Sequence, residues 1–180
     1  MDLASRILES WEDLERDWDT SPLVEAFLDG WRRFGLEFRG QDRGSLKGLP
    51  LEYVAFAHLQ AHLLGRGGKA AMGGHLVPLG GQEDLGGQST EVDGVFLHRG
   101  TLWLLECKPK AGQLRKRAPV MENLAAQVAG TWGKGLMLAR DWGNSPPPER
   151  SPRLVYMALR APEEVEGVYR FPEELEKALS

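Results

Sequence analysis

The chain has 180 residues, of which 42% are hydrophobic, so it is long enough for one globular domain with a buried core. Its single cysteine, Cys107, excludes an intramolecular disulfide and a Cys-rich zinc site, which suits a reducing cytoplasm. The apolar runs fall far short of the roughly 20 residues that a membrane helix needs, and the net charge of −4 gives no support to nucleic-acid binding, although positive charge along a groove would suffice. We therefore expect a cytoplasmic protein with no membrane partner.

The first part of the chain predicts helices. Between residues 2 and 38, apolar residues recur at three- and four-residue spacing, which is the period of an amphipathic helix. Ser21 followed by Pro22 interrupts this pattern and is typical of a helix start. We predict an N-terminal helical extension over residues 1–47 and a separate domain over residues 48–180. Three tryptophans of the extension are candidates for a homodimer surface: Trp11, Trp18 and Trp31.

The remaining residues predict an α/β sandwich. In chain order they favour a helix, two strands, a helix, a strand, a loop, a strand and a helix. Residues 65–90 contain many of the 22 glycines and little periodicity, with one short strand around Leu76–Leu79. The other predicted elements span residues 49–64, 92–97, 102–108, 119–130, 135–139, 154–159 and 172–179.

The most informative stretch is a predicted β-hairpin over residues 91–108. A tight turn in its middle pairs Asp93 with Glu106, and strand alternation places Lys108 on the same face. Cross-strand partners have Cβ atoms about 4.5–5.5 Å apart. Two carboxylates at that distance repel each other unless one protonates or a cation lies between them. Since hard divalent cations prefer oxygen ligands, this pair predicts a Mg²⁺ or Mn²⁺ site.

Lys108 and Glu52 complete the predicted site. Lys108 could orient or deprotonate an attacking water, or stabilise charge on a scissile phosphate. Glu106 and Lys108 directly follow the run Leu-Trp-Leu-Leu, and charges that end such a buried run are unusual without a function, although an ordinary surface hairpin is the alternative. Glu52 lies at the start of a helix, in line with its apolar stripe. It either reaches the metal or supplies first-turn charge that the helix dipole favours.

These residues resemble the pattern of the PD-(D/E)xK nuclease superfamily. That pattern has an acidic residue on a first core helix, then Asp and Glu-x-Lys on a hairpin, and Glu52, Asp93, Glu106 and Lys108 match it, with valine in place of the literal proline. The resemblance implies a restriction-endonuclease-like αβββαβ core, dependence on Mg²⁺ or Mn²⁺, and phosphodiester hydrolysis. It also implies that the main-chain carbonyl of Cys107 is a metal ligand beside Glu52, Asp93 and Glu106.

A narrower pattern is similar to the nuclease domain of CRISPR-associated proteins that cyclic oligoadenylates activate. It covers residues 48–140, through Gly-Leu-Pro-Leu-Glu-Tyr-Val around Glu52, the hairpin, and a later helix and strand over residues 124–138. This similarity implies a role in antiviral defence. Such proteins carry a nucleotide-sensing Rossmann-like domain before the nuclease, and residues 1–47 are too short and too helical to form one. We therefore expect a stand-alone relative or a fragment, without cyclic-oligoadenylate sensing of its own.

Basic and amide side chains near the hairpin are candidates for substrate contacts. The basic segment 108–117 leads into the predicted helix and could bind phosphates, whereas an exposed helix lead-in is the alternative. Related nucleases often place a glutamine on that helix, facing the site. The candidate nucleic-acid contacts are Lys110, Arg115, Lys116, Arg117 and Gln127. The histidines are predicted to be core or solvent-facing residues, with His98 at the surface.

The leading prediction is an endonuclease that cleaves DNA or RNA with one or two divalent metal ions. The first alternative is a non-catalytic nucleic-acid-binding module on a nuclease-like core, which salt bridges that lock the Glu and Lys side chains would favour. The second is a hydrolase for a small cyclic oligonucleotide, which a closed pocket in place of an open groove would favour.

Overall fold

The computed structural model describes residues 3–16, 21–33, 47–75, 91–144, 146–147, 151–160 and 165–180. The helices in these residues are α1 (Leu3–Glu9), α2 (Trp11–Arg16), α3 (Pro22–Arg33), α4 (Leu49–Leu63), α5 (Ala111–Ala129) and α6 (Leu175–Leu179). The strands are β1 (Lys69–His75), β2 (Glu91–His98), β3 (Thr101–Lys110), β4 (Lys134–Asp141), β5 (Leu154–Arg160) and β6 (Val168–Arg170). The predicted α/β class is confirmed, and α4 to β4 follow the expected αβββαβ order.

The strands form a mixed sheet in which each strand lies beside its neighbour in the chain. The order is β1-β2-β3-β4-β5-β6. The β1–β2 and β2–β3 pairs are antiparallel, whereas β3–β4, β4–β5 and β5–β6 are parallel. Because parallel neighbours need a long crossover connection, α5 runs between β3 and β4. Strand β3 lies inside the sheet because it pairs with β2 on one side and β4 on the other. Its residues 103–107 are all buried.

Hydrophobic clusters cover the two faces of the sheet. Helix α4 packs on one face and α5 on the other. Trp103, Leu105 and Cys107 belong to the cluster of α4, whereas Leu104 belongs to the cluster of α5. This alternation is the one predicted for the hairpin. Glu106 is two residues from Leu104, so its side chain lies on the same face of the sheet, which α5 covers.

The N-terminal helices share the core of the α4 face. Ile7 of α1 and Phe27 of α3 are fully buried in that cluster, and the Phe27 ring lies 5.6 Å from the Tyr53 ring of α4, centroid to centroid. Trp11 is 9% exposed and belongs to the same cluster, so most of its surface is buried within the chain, and the homodimer stays a prediction. Trp18 and the side chain of Trp31 lie outside the described residues. The division of the chain at residue 47 stays a prediction.

Two strands were not predicted where they occur. Strand β1 has the sequence Lys-Ala-Ala-Met-Gly-Gly-His, which lacks β-branched residues, so its strand conformation depends on pairing with β2 instead of local preference. The strand predicted at residues 76–79 lies outside the described residues. Strand β6 has three residues and pairs with β5.

Two helices begin at other residues than predicted. Helix α5 begins at Ala111 instead of residue 119, because residues 111, 114, 118 and 121 bury one continuous helical face, and Pro119 lies inside the helix. Helix α6 begins at Leu175 instead of residue 172, after a turn. Within the described residues, none of the helices is long and apolar enough to span a membrane.

Candidate active site

The turn of the β2–β3 hairpin sets the register of the site. Arg99 and Gly100 both have positive φ, 49° and 77°, which suits a two-residue hairpin turn. His98 therefore pairs with Thr101, as predicted. His98 is 2% exposed, so the prediction that it lies at the surface was wrong. It is buried because its ring packs against that of His62 on α4, 5.4 Å away between centroids.

Asp93 lies where the β2–β3 pairing ends. The paired residues run from the turn as far as Gly94 with Leu105, and one further step in this register places Asp93 opposite Glu106. The Asp93 Oδ2 atom accepts a hydrogen bond from the backbone N–H of Cys107, with an N–O distance of 2.7 Å. The main chain of β3 thus holds the Asp93 carboxylate in place.

Lys108 brings the oxygen atoms of the site together. Its Nζ atom lies 2.7 Å from Glu106 Oε1, 3.0 Å from the carbonyl oxygen of Cys107 and 3.4 Å from Asp93 Oδ2. Burial lowers the pKa of Lys108, but the charges of the two carboxylates and their hydrogen bonds outweigh it, so the pKa is raised. The lysine is therefore a charged ammonium that binds all three oxygens.

Glu106 is buried between two cations. Its side chain is 3% exposed, and Arg117 Nε lies 3.2 Å from Oε2, on the side away from the Lys108 contact with Oε1. The Arg117 guanidinium also donates to the main-chain oxygen of Glu91. Because an unpaired buried carboxylate is strongly destabilising, these two ion pairs explain how β3 accommodates Glu106.

Glu52 belongs to the same electrostatic cluster. It lies in the first turn of α4 and is half-buried. Burial and then the charge of Asp93 raise the pKa of Glu52 to about 7, while the ammonium of Lys108 opposes this shift. Glu106 also raises it, so all four residues that match the nuclease pattern act on one another.

Cys107 contributes its main chain and not its thiol. The side chain is buried on the α4 face, and burial followed by the charge of Asp93 raises the pKa of its thiol well above the ordinary value. Such a thiol is a poor nucleophile and a poor metal ligand. Its N–H and C=O groups instead meet Asp93 and Lys108.

The oxygens around Lys108 Nζ fit a hard divalent cation. No group of three His, Cys, Asp or Glu side chains among the described residues is arranged to hold a metal. However, Asp93 Oδ2, Glu106 Oε1 and the Cys107 carbonyl already surround one positive charge, and Glu52 adds a further carboxylate. A set of oxygen donors only is what Mg²⁺ and Mn²⁺ prefer.

The predicted substrate contacts fall into three groups. Lys110 and Lys116 are exposed; Lys110 follows Lys108 by two residues on β3, and Lys116 directly precedes Arg117 on α5. Arg115 and Arg117 are engaged within the protein, Arg115 with the Pro146 carbonyl at 3.0 Å. Gln127 is exposed and lies ten residues beyond Arg117 on α5, which is roughly 15 Å along the helix, so the structure does not bring it to the carboxylates.

Sequence reasoning missed the contact between Arg117 and Glu106. It predicted that the helix begins at residue 119, which left Arg117 in an irregular lead-in. In the structure, Arg117 lies in the second turn of α5 and faces the sheet. The buried residues Leu114, Ala118 and Met121 are the signal that could have revealed this helix.

Comparisons with known proteins find similar solved structures. No protein-family model and no curated protein matches the chain. A type III CRISPR defence DNA nuclease activated by cyclic oligoadenylate is 54% identical over 97% of this chain, with a TM-score of 0.77. Can2 from Sulfobacillus thermosulfidooxidans, solved with cyclic tetra-adenylate, is 17% identical over 98% of this chain and 50% of its own, with a TM-score of 0.50, and shows similarity of fold alone.

The region of the DNA nuclease that matches this chain is a part of that longer protein. The chain spans 26% of the length of the DNA nuclease that is 54% identical to it. The predicted resemblance to CRISPR-associated nucleases that cyclic oligoadenylates activate is confirmed by the nuclease that is 54% identical to this chain. The fold that positions Glu52, Asp93, Glu106 and Lys108 is accordingly similar to that of a nuclease.

Proposed function

We propose that this chain is a CRISPR-linked, metal-dependent nuclease of the PD-(D/E)xK kind, which hydrolyses phosphodiester bonds in nucleic acid. The observation that carries this proposal is the meeting of three oxygen atoms at Lys108 Nζ, at 2.7, 3.0 and 3.4 Å. These oxygens belong to Glu106, Cys107 and Asp93, which the nuclease pattern assigns as metal ligands. The similarity to a CRISPR defence DNA nuclease supports the same reaction class.

The site residues divide the work between binding and charge stabilisation. Asp93, Glu106 and the Cys107 carbonyl would hold the cation, with Glu52 as a further carboxylate ligand. A bound Mg²⁺ or Mn²⁺ polarises phosphate oxygens and makes a bound water more acidic. Lys108 Nζ contacts three of the ligand oxygens in the structure, so it would give up these contacts to the cation and keep its positive charge beside the ligands. There it would stabilise negative charge on the phosphate or orient the attacking water.

The protonation of Glu52 makes metal binding at the site dependent on pH. With a pKa of about 7, a fraction of this carboxyl carries a proton at neutral pH when no metal is bound. A neighbouring cation favours the ionised form, so metal binding and loss of this proton support each other. Glu52 is therefore placed to act as a ligand in its ionised form.

DNA is the substrate that we propose first, since the nuclease 54% identical to this chain acts on DNA. Lys110 and Lys116 are exposed, near Lys108 and Arg117 in the chain, and would provide positive charge for backbone phosphates. Their contacts would not depend on base sequence, because phosphate contacts position a nucleic acid without reading it.

A second candidate is a non-catalytic nucleic-acid-binding module. The ion pairs of Glu106 with Lys108 and Arg117 favour it, because they satisfy the buried carboxylate without any metal. The two functions differ in cleavage: the nuclease cuts nucleic acid and needs the Glu106 carboxylate to do so, whereas the binding module does not cut.

The test is cleavage of labelled single- and double-stranded DNA and RNA in Mg²⁺, Mn²⁺ or EDTA. Wild type should cut in metal and not in EDTA, and Glu106→Ala should reduce the rate by at least about 100-fold, because it removes a ligand of the catalytic cation. Glu173→Ala, at an exposed glutamate outside the site, is the matched control and should cut like wild type. Cutting that survives Glu106→Ala would refute the assigned site, and wild type that cuts no substrate would favour the binding module.

A further inference from the structure

Arg117 lies behind the site and joins three elements of the fold. It projects from the second turn of α5, and its side chain is 17% exposed. Its Nε donates to Glu106 Oε2 at 3.2 Å, and its guanidinium donates to the main-chain oxygen of Glu91. Glu91 begins β2, two residues before Asp93. One arginine therefore links α5 to both strands that carry the acidic residues.

The two contacts fix the orientation of the guanidinium. An arginine head is planar and rigid, so bonds from two of its nitrogens to acceptors on different strands leave it little freedom. The contact with Glu106 is also well shielded, because that side chain is 3% exposed. An ion pair in such surroundings is screened little by solvent or salt.

The contact divides the oxygens of Glu106 between two partners. Arg117 binds Oε2, and Oε1 is left to face Lys108 Nζ and, with it, the carbonyl of Cys107. Without Arg117, the carboxylate could rotate and present either oxygen, or both, toward the cation position. The arginine thus determines which oxygen the site receives.

We propose that Arg117 is a positioning residue that presents Glu106 Oε1 to the metal, and not a contact for substrate phosphate. This inference rests on the proposed function, since it needs Glu106 as a metal ligand. The adjacent Lys116 provides the comparison, because it is exposed while Arg117 is held between α5 and the hairpin.

The test measures metal binding and DNA binding separately in the full chain. Mn²⁺ affinity is measured by titration calorimetry without nucleic acid, and affinity for labelled double-stranded DNA by anisotropy in EDTA at several salt concentrations. Arg117→Met should weaken Mn²⁺ binding about 10–100-fold, as loss of groups that orient metal ligands typically does. It should lower kcat, with partial recovery at high Mn²⁺, while the salt dependence of DNA binding stays as in wild type.

Lys116→Met is the matched control, because it removes the same charge one residue away. It should keep the Mn²⁺ affinity of wild type and reduce the slope of log K against log salt by about one, as expected for a lost phosphate contact. Arg117→Lys keeps the charge without the planar head and should fall between wild type and Arg117→Met. It also keeps the test decisive if the methionine variant does not fold.

One outcome would overturn the inference alone, namely an Arg117 variant with the Mn²⁺ affinity of wild type. If the salt slope of DNA binding is reduced in that same variant, Arg117 is a phosphate contact instead. If wild type binds no Mn²⁺, or if Glu106→Ala binds Mn²⁺ as tightly as wild type, the proposed function is refuted and this inference with it.

Discussion

At the level of single residues, Lys108 stabilises the site by giving one positive charge to three oxygen atoms. Replacing it by methionine leaves Glu106 Oε1, the Cys107 carbonyl and Asp93 Oδ2 without this donor. We expect Lys108→Met to lower the free energy of unfolding in EDTA by about 1–3 kcal/mol, as for loss of a hydrogen bond to a charged group. Mn²⁺ should raise the melting temperature of the variant more than that of wild type, because no ammonium competes for the same oxygens.

Thermal melting of both proteins in EDTA and in Mn²⁺ checks this expectation. Lys110→Met, at an exposed lysine on the same strand, is the control and should melt like wild type in EDTA. If Lys108→Met is as stable as wild type without metal, the ammonium does not stabilise the three oxygens.

Part of this site followed from the sequence because strands have a simple geometry. Alternation along β3 and the turn at residues 99–100 are enough to place Glu106 and Lys108 on one face, opposite Asp93. The contact of Arg117 with Glu106 did not follow, because it depends on how α5 is rotated about its axis against the sheet. The residue pattern of the strand does not predict the rotation of α5 about its axis.

At the level of elements, Gly68 allows the link between α4 and β1 to lie close to the hairpin. A Cβ atom at this position would lie 2.5 Å from the main-chain oxygen of Leu97 and 2.5 Å from Leu63 Cδ2. The oxygen belongs to a paired strand and cannot move freely. We therefore expect Gly68→Ala to lower the free energy of unfolding by about 1–3 kcal/mol, as overpacking of a core does.

Gly112→Ala is the matched control for this prediction. A Cβ atom there meets nothing within 4 Å, and the residue lies in the first turn of α5. Alanine should stabilise this helix by about 0.5–1 kcal/mol, because it restricts the unfolded chain. Urea unfolding measures both variants, and a Gly68→Ala protein as stable as wild type would show that the link can move away from β2.

The strands show what local patterns predict and what they miss. Strands β3, β4 and β5 are apolar runs that the core buries, and the sequence predicted them. Strand β1 has Ala, Gly and Met in place of β-branched residues, and it depends on β2 for its pairing. Such a strand is determined by its partner, so its own residues contain little signal.

At the level of the whole molecule, a charged cluster joins elements that are distant in the chain. Glu176 of α6 accepts from Arg99 at 3.0 Å and lies 3.5 Å from Arg66 and 3.3 Å from His62 Nε2. His98 packs on His62 beside it. The cluster connects the hairpin turn, the end of α4 and the C-terminal helix, at the opposite end of the hairpin from Asp93.

The two histidines of this cluster are expected to lower the stability of the fold in acid. Burial lowers the pKa of His62 and of His98, with Arg66 and Arg99 adding to the shift and Glu176 opposing it. Because the folded pKa values of these histidines lie below the ordinary 6.5, the unfolded chain takes up these protons first, so the two histidines lower the free energy of unfolding as the pH falls below about 6.5. Glu52, with its folded pKa raised to about 7, acts in the opposite direction, and it does so in wild type and variant alike. The melting temperature of the double variant His62→Gln/His98→Gln, relative to that of wild type, should therefore be higher at pH 5.5 than at pH 7.5.

Melting curves at the two pH values, in EDTA, provide the measurement. Glu173→Gln, at an exposed glutamate in the turn before α6, should show the same change of melting temperature with pH as wild type. If the melting temperatures of the double variant and of wild type change equally between the two pH values, protonation of these two histidines does not affect the stability of the fold.

The order of the sheet also bears on how the protein forms during synthesis. Among the strands that the structure describes, each lies beside the one that precedes it in the chain, so none of these six has to insert between two strands that are already paired. Proteins emerge from the ribosome N-terminus first. Glu52, Asp93, Glu106, Lys108 and Arg117 all precede β4, so the hairpin and the candidate site residues can assemble while the parallel half of the sheet is still being translated.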